Sequence, residues 1–581
     1  MKKSYRFFCV SLLILLQAQL AHSLNTQERY FSNLFLSREP LVQIAPDGRL
    51  IVTVETKETC HGGEAFFGVI PDAAELPIPF YRWSAKLESL QPNQLEFSFD
   101  LKELTGKRVD INLIKDVKWQ NIPYRLSLFG DELHTFDRNF GFVIDDAGNY
   151  FRIPAIEEGP FVDIVTPTSA VLSWDFDHAV RGALTITEQA AIPFSIQDTH
   201  HEIIVSDLQP NHEYSYHISW ETSYGSLKTR TYHFRTAPAS GSDKAFRFAV
   251  FSDTRATIGQ GDRSTEHVNT LALRQLTGIA YHQNADFIII AGDLVSGYIS
   301  DPAEIALQFR AFKRVAGAVG AYIPIYEGLG NHDLPCRFIG KKMEDGFIPR
   351  LGKEAGESVF AAHFVNPENG PEPALPDHSP YKENVYSFDW GSAHLVSLNN
   401  DYMKKSSNAG TEDKIGYRNG WITAEQLDWL VKDLRDARDR GLKQLFVYLH
   451  EPAFPNGGHV KDSMWWDGKI PEMVTMRNCF WKILSDHNVC AVFCGHEHNF
   501  SLTLIDDSIA PSFTNPVWQV VTGGGGAPFY SQNSETPWAH NVEYFYPLTH
   551  LCLVDVDGDD VILHLIADDG AVLKTFNLTD K

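Results

Sequence analysis

Positive charge is scarce in this sequence. Its 581 residues hold 50 Lys and Arg against 74 Asp and Glu, a formal net charge of −24. A broad nucleic-acid surface needs basic stripes to replace condensed counterions, so no such surface is expected. A small anionic substrate is still admissible, because a bound metal reverses the local field. Cysteine is scarce too, at seven residues, and no CxxC has a partner CxxC, which argues against a structural zinc site. No apolar run reaches the ~20 residues of a membrane-spanning helix. Internal repeats and low-complexity tracts are missing as well, which excludes solenoids and disordered arrays. What is present is an ordinary globular mixture, 43% hydrophobic and 21% charged, with 12% aromatics. At ~100–200 residues per domain the length predicts three or four domains.

The first 23 residues read as an address. Lys2, Lys3 and Arg6 precede the ten-residue apolar stretch Phe7–Leu16, and Ala21-His22-Ser23 offers small residues for cleavage. This pattern predicts a signal peptide (residues 1–23) cut after Ser23, and hence a secreted or periplasmic protein. Six cysteines remain after cleavage. Cys479 and Cys490 flank a predicted helix and are a candidate disulfide in an oxidising compartment.

Two β-rich regions follow. In residues 38–155, Leu50–Val54, Leu95–Phe99 and Tyr124–Phe129 have strand length and strand patterning, with turn residues between them. They predict a β-sandwich of unknown role, in which His61-Gly62-Gly63 is read as a loop. Residues 158–237 carry a strand ending in Trp174, and a Leu208-x-Pro210 turn ahead of Tyr214 and Tyr216. This resembles a fibronectin type III module. From residue 245 to about 575 strands alternate with helices, predicting an α/β domain. Phe246–Phe251, Phe287–Ala291, Leu445–Leu449 and Ala491–Phe493 are its buried strands. Helices are predicted over Ser264–Asn284, Pro302–Gly317 and from the capping box at Thr423 to about Gly441.

The chemistry collects behind those strands. Asp253-Thr254-Arg255, Gly292-Asp293, Gly330-Asn331-His332-Asp333, His450-Glu451-Pro452 and Gly495-His496-Glu497-His498 each follow an apolar run. Ligands gather beyond the carboxyl ends of strands in α/β sheets. Two Asp, one Asn and three His make a mixed N/O donor set suited to Mn, Zn or Fe. Two such cations about 3.5–4 Å apart neutralise a phosphate and turn a bound water into a hydroxide nucleophile. Each segment alone is a common turn. All five in this order are specific.

That ordered set resembles the calcineurin-like metallophosphoesterase superfamily. With the fibronectin-like module in front, it resembles the secreted purple-acid-phosphatase-like branch. The resemblance implies a multidomain chain: two N-terminal β-sandwiches, then a four-layer αββα metallophosphoesterase domain. It implies two divalent or mixed-valence ions. Asp253, Asp293 and His498 would hold the first, and Asn331, His450 and His496 the second, with Asp293 bridging. Asp293 and His332 would be catalytic, and Arg255, Asn331 and His332 would bind substrate. His332 would protonate the leaving oxygen. The implied activity is hydrolysis of a small phosphate ester, a phosphomonoester first. The alternatives are a phosphodiesterase acting on nucleotides or lipid headgroups, and a surface-binding protein with a degenerate catalytic domain.

Two positions depart from the family pattern. Arg255 stands where many members have His, and Ser296 stands where purple members have the iron-binding Tyr, so the protein is expected not to be purple. Arg255 is expected either to clamp a phosphate oxygen or to pair with a carboxylate such as Asp262. Tyr298 is near but out of register. The loop from Asn456 to Gly468, with His459, Trp465 and Trp466, is expected to rim the cleft or to form a hydrophobic plug. Asn399–Tyr402 is a possible cleft segment. The four glycines Gly523–Gly526 are expected to let backbone pass close to the site. His363 and His394 are read as structural, and Asp555–Asp559 as a hairpin turn.

Overall fold

A computed structural model describes residues 35–71, 74–105, 119–256, 264–339, 346–406 and 415–580. The expected signal peptide and Asp262 lie outside these.

Two sheets pack face to face near the N-terminus. One has the order Leu41–Ile44, Arg49–Glu55, Gln94–Asp100, Lys86–Gln91. The other runs Phe80–Ser84, Gly62–Val69, Trp119–Phe129, Leu133–Ile144, Tyr150–Ile153. Period-2 alternation buries Leu50, Val52 and Val54 of one against Ala65, Phe67 and Leu126 of the other, as a half-buried sheet requires. Gly62 and Gly63, read as a loop, open a strand instead, opposite Phe129 and Leu128. Two glycines give no side-chain periodicity to betray that pairing.

The next unit also has two sheets, of three and five strands, between Ile156 and Arg235. Trp174 is buried in its core. The Tyr214 hydroxyl accepts a hydrogen bond from the Gln209 amide at 2.9 Å, so the Leu-x-Pro segment is pinned to the following strand by a tyrosine corner.

The remaining strands form two larger sheets. The first has six, in the order Ile325–Gly328, Phe287–Ala291, Phe246–Phe251, His550–Asp557, Asp560–Ala567, Val572–Asn577. The second has seven and centres on Ala393–Ser397, Gln444–Tyr448, Ala491–Cys494 and Val517–Thr522, all parallel. Alternation sorts their side chains into layers. Phe446 and Phe493 face inward onto Phe248, at ring separations of 5.4 and 5.8 Å. Val447 and Val492 face outward into a second core with Leu430, Leu434, Phe480 and Trp481 of the helices Ala424–Asp439 and Pro471–Asp486. The helices Thr270–His282 and Pro302–Gly320 pack on the first sheet. The architecture is αββα, preceded by two β-sandwiches.

Three local expectations need correction. The predicted helix from Ser264 starts only at Thr270, because Ser264–Asn269 closes a two-strand hairpin and the Asn269 side chain caps the Ala272 amide at 3.2 Å. The second helix continues three residues further, to Gly320. Cys479 and Cys490 are not bonded to each other: Cys479 is exposed on its helix, whereas Cys490 is buried beside the following strand.

Candidate metal centre

The carboxyl ends of the central strands converge, and five short loops carry the expected side chains to one place. The backbone there is forced. Asp253, Asp293, His496 and His498 all have left-handed φ, at 66°, 52°, 67° and 36°. L-residues reach this region at a cost of roughly 1–2 kcal/mol each, and such outliers gather at functional sites. Glycines make room between the loops. A Cβ on Gly292, whose φ is +92°, would sit 2.8 Å from His450 Nδ1. A Cβ on Gly495 would collide with Ser252 Oγ and Asp253 Oδ2, and one on Gly523 would lie 2.8 Å from Asp253 Oδ2. The four-glycine segment thus runs against the site.

One cluster of donor atoms is tight. Asn331 Oδ1 lies 2.9 Å from both His450 Nε2 and His496 Nδ1, and His450 Nε2 is 3.1 Å from Asp293 Oδ1. His450 Nδ1 faces the Ala291 carbonyl at 2.9 Å, so its proton belongs there and Nε2 is left as a ligand atom. Beside it, Asp253 Oδ1 is buried with no hydrogen-bond partner and stands 3.4 Å from His498 Nε2. His498 Nδ1 faces the Pro528 carbonyl at 2.5 Å, which again frees Nε2. Ligating atoms of Asp253, Asp293 and His450 all fall within 4.8 Å of one another, and all three residues are buried.

Electrostatics matches the geometry. Burial opposes ionisation of Asp293, but His450, His332 and Arg255 around it hold the carboxyl well below the ordinary range. Burial disfavours the His450 cation, yet Asp293 lifts it to about 10. Asp333 has the opposite fate. Burial and the Asp293 charge push it well above the carboxylate range, while it accepts the Gly330 and Val295 amides at 2.9 and 3.2 Å. It ties two of the loops together.

His332 stands at the rim, its amide on Asp293 Oδ1 at 2.9 Å and its Nδ1 on the Ser296 carbonyl at 2.5 Å. Its Nε2 is 3.9 Å from Asp293 Oδ2. Arg255 lies among the ligands themselves. Its Nε donates to Asp293 Oδ2 at 3.2 Å, and its Nη2 is 3.1 Å from His498 Nε2. The carboxylate it pairs with here is therefore Asp293. Ser296 is turned away, its hydroxyl donating to backbone carbonyls of Ala256 and His267. Tyr298 serves the other side: its hydroxyl accepts from Asn331 Nδ2 and, at 3.0 Å, from Lys404 Nζ.

Other expectations resolve locally. Trp465 packs on Trp538 and Arg477, at 4.9 and 4.7 Å, so it belongs to a plug and not to an open rim. Asn400 brackets Glu451, the residue after His450, through paired hydrogen bonds at 2.7 and 3.1 Å, so this segment supports the site from behind. His394 bridges Asp389 and Asp433, and His363 is half-buried against Phe309, 5.9 Å between ring centres; both are structural. Leu551–Val556 pairs with Val561–Ile566 across the Asp557–Asp560 turn.

Sequence reasoning missed two neighbours, Tyr530 and Lys404, and named a third, His459, only as part of a loop at the rim or in a plug. His459 stacks 3.8 Å from the His496 ring and bonds Asp462 at 3.1 Å, and these three form a second potential ligand group. Tyr530 stacks on His498 at 4.7 Å, and Lys404 reaches Tyr298. His459 carried a signal, because its loop follows His450. Tyr530 and Lys404 carried none, since only the fold brings them near.

Residues 246–500 match the family described as calcineurin-like phosphoesterase. The chain is 24% identical over 378 residues to a probable inactive purple acid phosphatase 27 of Arabidopsis thaliana, covering 61% of this chain and 54% of that protein. It is 24% identical over 284 residues to a manganese-dependent ADP-ribose/CDP-alcohol diphosphatase of Oryza sativa subsp. japonica, covering 45% and 79%. The fold is similar to that of the purple acid phosphatase PPD1 of yellow lupin, with a TM-score of 0.54 and 16% identity over 91% of this chain and 92% of that one. The chain thus spans about half the length of the Arabidopsis relative it matches.

Proposed function

Because residues 246–500 are a calcineurin-like phosphoesterase domain, the domain of a metal-dependent phosphoester hydrolase, we propose that the whole chain is a secreted or periplasmic phosphomonoesterase with two metal ions. The observation that carries the proposal is the convergence of Asp253, Asp293, Asn331, His450, His496 and His498 on one buried centre. The residues present fit divalent ions. Asp253 Oδ1 is buried and unpaired, and backbone carbonyls hold the far nitrogens of His450 and His498. Asp253, Asp293 and His498 would hold one ion, and Asp293, Asn331, His450 and His496 the other. When bound, the ions neutralise the phosphoryl oxygens and lower the pKa of a coordinated water toward neutrality.

The chain's own residues do the rest. Ser296 fixes His332 Nδ1, so Nε2 is the atom that exchanges a proton at the cleft. Burial keeps His332 well below its ordinary pKa in the free protein. A phosphate dianion arriving beside it favours the imidazolium, which then gives its Nε2 proton to the departing oxygen. Arg255 supplies a planar pair of donors for a phosphoryl oxygen. This extra positive charge suits a monoester dianion better than a diester monoanion. We assign the domains as 38–155, 158–237 and 245–575, with the leader at 1–23. No described helix is long and apolar enough to cross a membrane.

A second reading, a diesterase or diphosphatase on nucleotides or headgroup esters, is favoured by the likeness to the rice diphosphatase. The test is to strip the protein of metal, reload it with Mn or Zn, and compare a nitrophenyl phosphate monoester with the matching diester. Faster monoester turnover that is absent from His450→Ala supports the proposal, and faster diester turnover selects the second reading. No turnover of either ester with either metal overturns both and leaves a binding role for the domain.

A further inference from the structure

A cavity of about 510 Å³ lies away from the metal centre, and none of the six candidate ligands, His332 or Arg255 lines it. It opens where three parts of the chain meet. The N-terminal sandwich contributes Trp119 and Asn121, the fibronectin-like unit Trp220, and the helices Thr270–His282 and Pro302–Gly320 contribute Arg274 and Arg314. Small-molecule sites favour such domain junctions and have volumes of roughly 300–1,000 Å³.

The wall has two kinds of surface. Trp119 meets Trp220 edge-on at 5.2 Å, giving an aromatic side suited to a flat ring. The wall is also cationic. Lys and Arg outnumber Asp and Glu five to three along the wall, in a chain whose net charge is −24. Two of these cations have spare donors. Arg314, whose side chain is 9% exposed, bonds Glu157 through Nη2 at 3.0 Å, while its Nε and Nη1 are buried with no hydrogen-bond partner. Its Nη1 is 3.7 Å from Glu266, too long for a hydrogen bond. Arg274 is half-buried and has no hydrogen-bonded or ion-paired partner among the described residues. Trp220 Nε1, a further donor, is also buried and unbonded. Buried donors left unpaired are costly, and an anion placed among them would satisfy several at once.

We infer that this three-way junction is a binding site, separate from the metal centre, for a small aromatic acid: a flat ring against Trp119 and Trp220, with its carboxylate, sulfonate or phosphate on Arg274 and Arg314. The probe is 1-anilinonaphthalene-8-sulfonate, titrated into the full-length, metal-loaded protein and followed by fluorescence and calorimetry. One saturable site per chain is expected. Arg274→Glu should weaken it about tenfold or more, since a charge-assisted contact becomes repulsion. Ala318→Trp, at a partly exposed wall position, should fill the cavity and abolish binding. His450→Ala should leave binding intact. The inference is overturned by no saturable binding to the wild type, by unchanged affinity in Arg274→Glu, or by loss of binding in His450→Ala. Should Ala318→Trp melt well below the wild type, Arg274→Glu, on a helix surface, decides alone.

Discussion

Arg255 sets the strongest quantitative expectation. Its guanidinium donates to Asp293 at 3.2 Å and approaches His498 Nε2 at 3.1 Å, the nitrogen that the Pro528 carbonyl leaves free for a metal. A cation held by Asp253, Asp293 and His498 must first displace it. Giving up a charge-assisted hydrogen bond costs about 1.5–3 kcal/mol, which is roughly ten- to hundredfold in affinity. Residual repulsion adds to this, since unit charges 4 Å apart interact by about 4 kcal/mol at an effective dielectric of ~20. The Arg255 side chain is 13% exposed, so it has a way out toward the cleft, where it meets phosphate. Calorimetric titration of metal-free protein with Mn should therefore resolve two unequal sites, separated by at least that factor. In Arg255→Ala the weak site should tighten roughly ten- to hundredfold while the tight one holds, and the KM for phosphate ester should rise. Two equal sites in the wild type, or a first site that weakens in Arg255→Ala, would refute the reasoning.

Other outcomes follow from the same geometry. His332→Ala should lower kcat by about 10²–10⁴, more for an alkyl phosphate than for a nitrophenyl one, because the poorer leaving group needs the proton; equal losses on both esters would remove the acid role. Gly495→Ala drives a methyl group into Ser252 and Asp253, so metal binding should fall sharply in a chain that still folds, checked by metal content and circular dichroism. Burial alone would raise the Glu39 pKa, but Arg138, bonded at 2.7 Å, holds it at about 2. A depressed acid stabilises the fold above its unfolded pKa of about 4.3, and that contribution is lost as pH falls through the folded value. It amounts to about 3 kcal/mol, its side chain being 29% exposed. Glu39→Gln should lower the melting temperature at pH 7 and flatten its decline between about pH 5 and pH 2; an unchanged acid limb would discount the pair.

Much of this was legible in the sequence because the relevant signals are local. Apolar runs such as Phe287–Ala291 are buried on both faces, and four of the five ligand segments carry Ser252, Gly292, Gly330 or Gly495 directly before the ligand type, whereas His450 follows Leu449. Strand order was not legible, since the first large sheet joins Phe246–Phe251 to His550–Asp557, some 300 positions away. The helix start at Thr270 was misread because Ser264–Asn269 has polar and apolar residues compatible with either state, and the hairpin is decided by its contacts: the Glu266 carboxylate meets Arg138 at 2.6 Å, and the His267 carbonyl accepts the Ser296 amide at 3.1 Å. Arg255 was visible as a departure, but its partner was not. Choosing Asp293 over Asp262 requires knowing which loops meet. Tyr530 and Lys404 belong to loops of no recognisable pattern, and only the closure of the two sheets sets them beside the ligands.

The central claim is that a metal sits among Asp293, Asn331, His450 and His496. Anomalous diffraction from a crystal of Mn-loaded protein tests it directly. The account predicts the strongest anomalous peak within bonding distance of Asn331 Oδ1, His450 Nε2 and His496 Nδ1, with a weaker one beside Asp253 and His498. A map with no peak there, or with its only peak among His459, Asp462 and His496 Nε2, would contradict it.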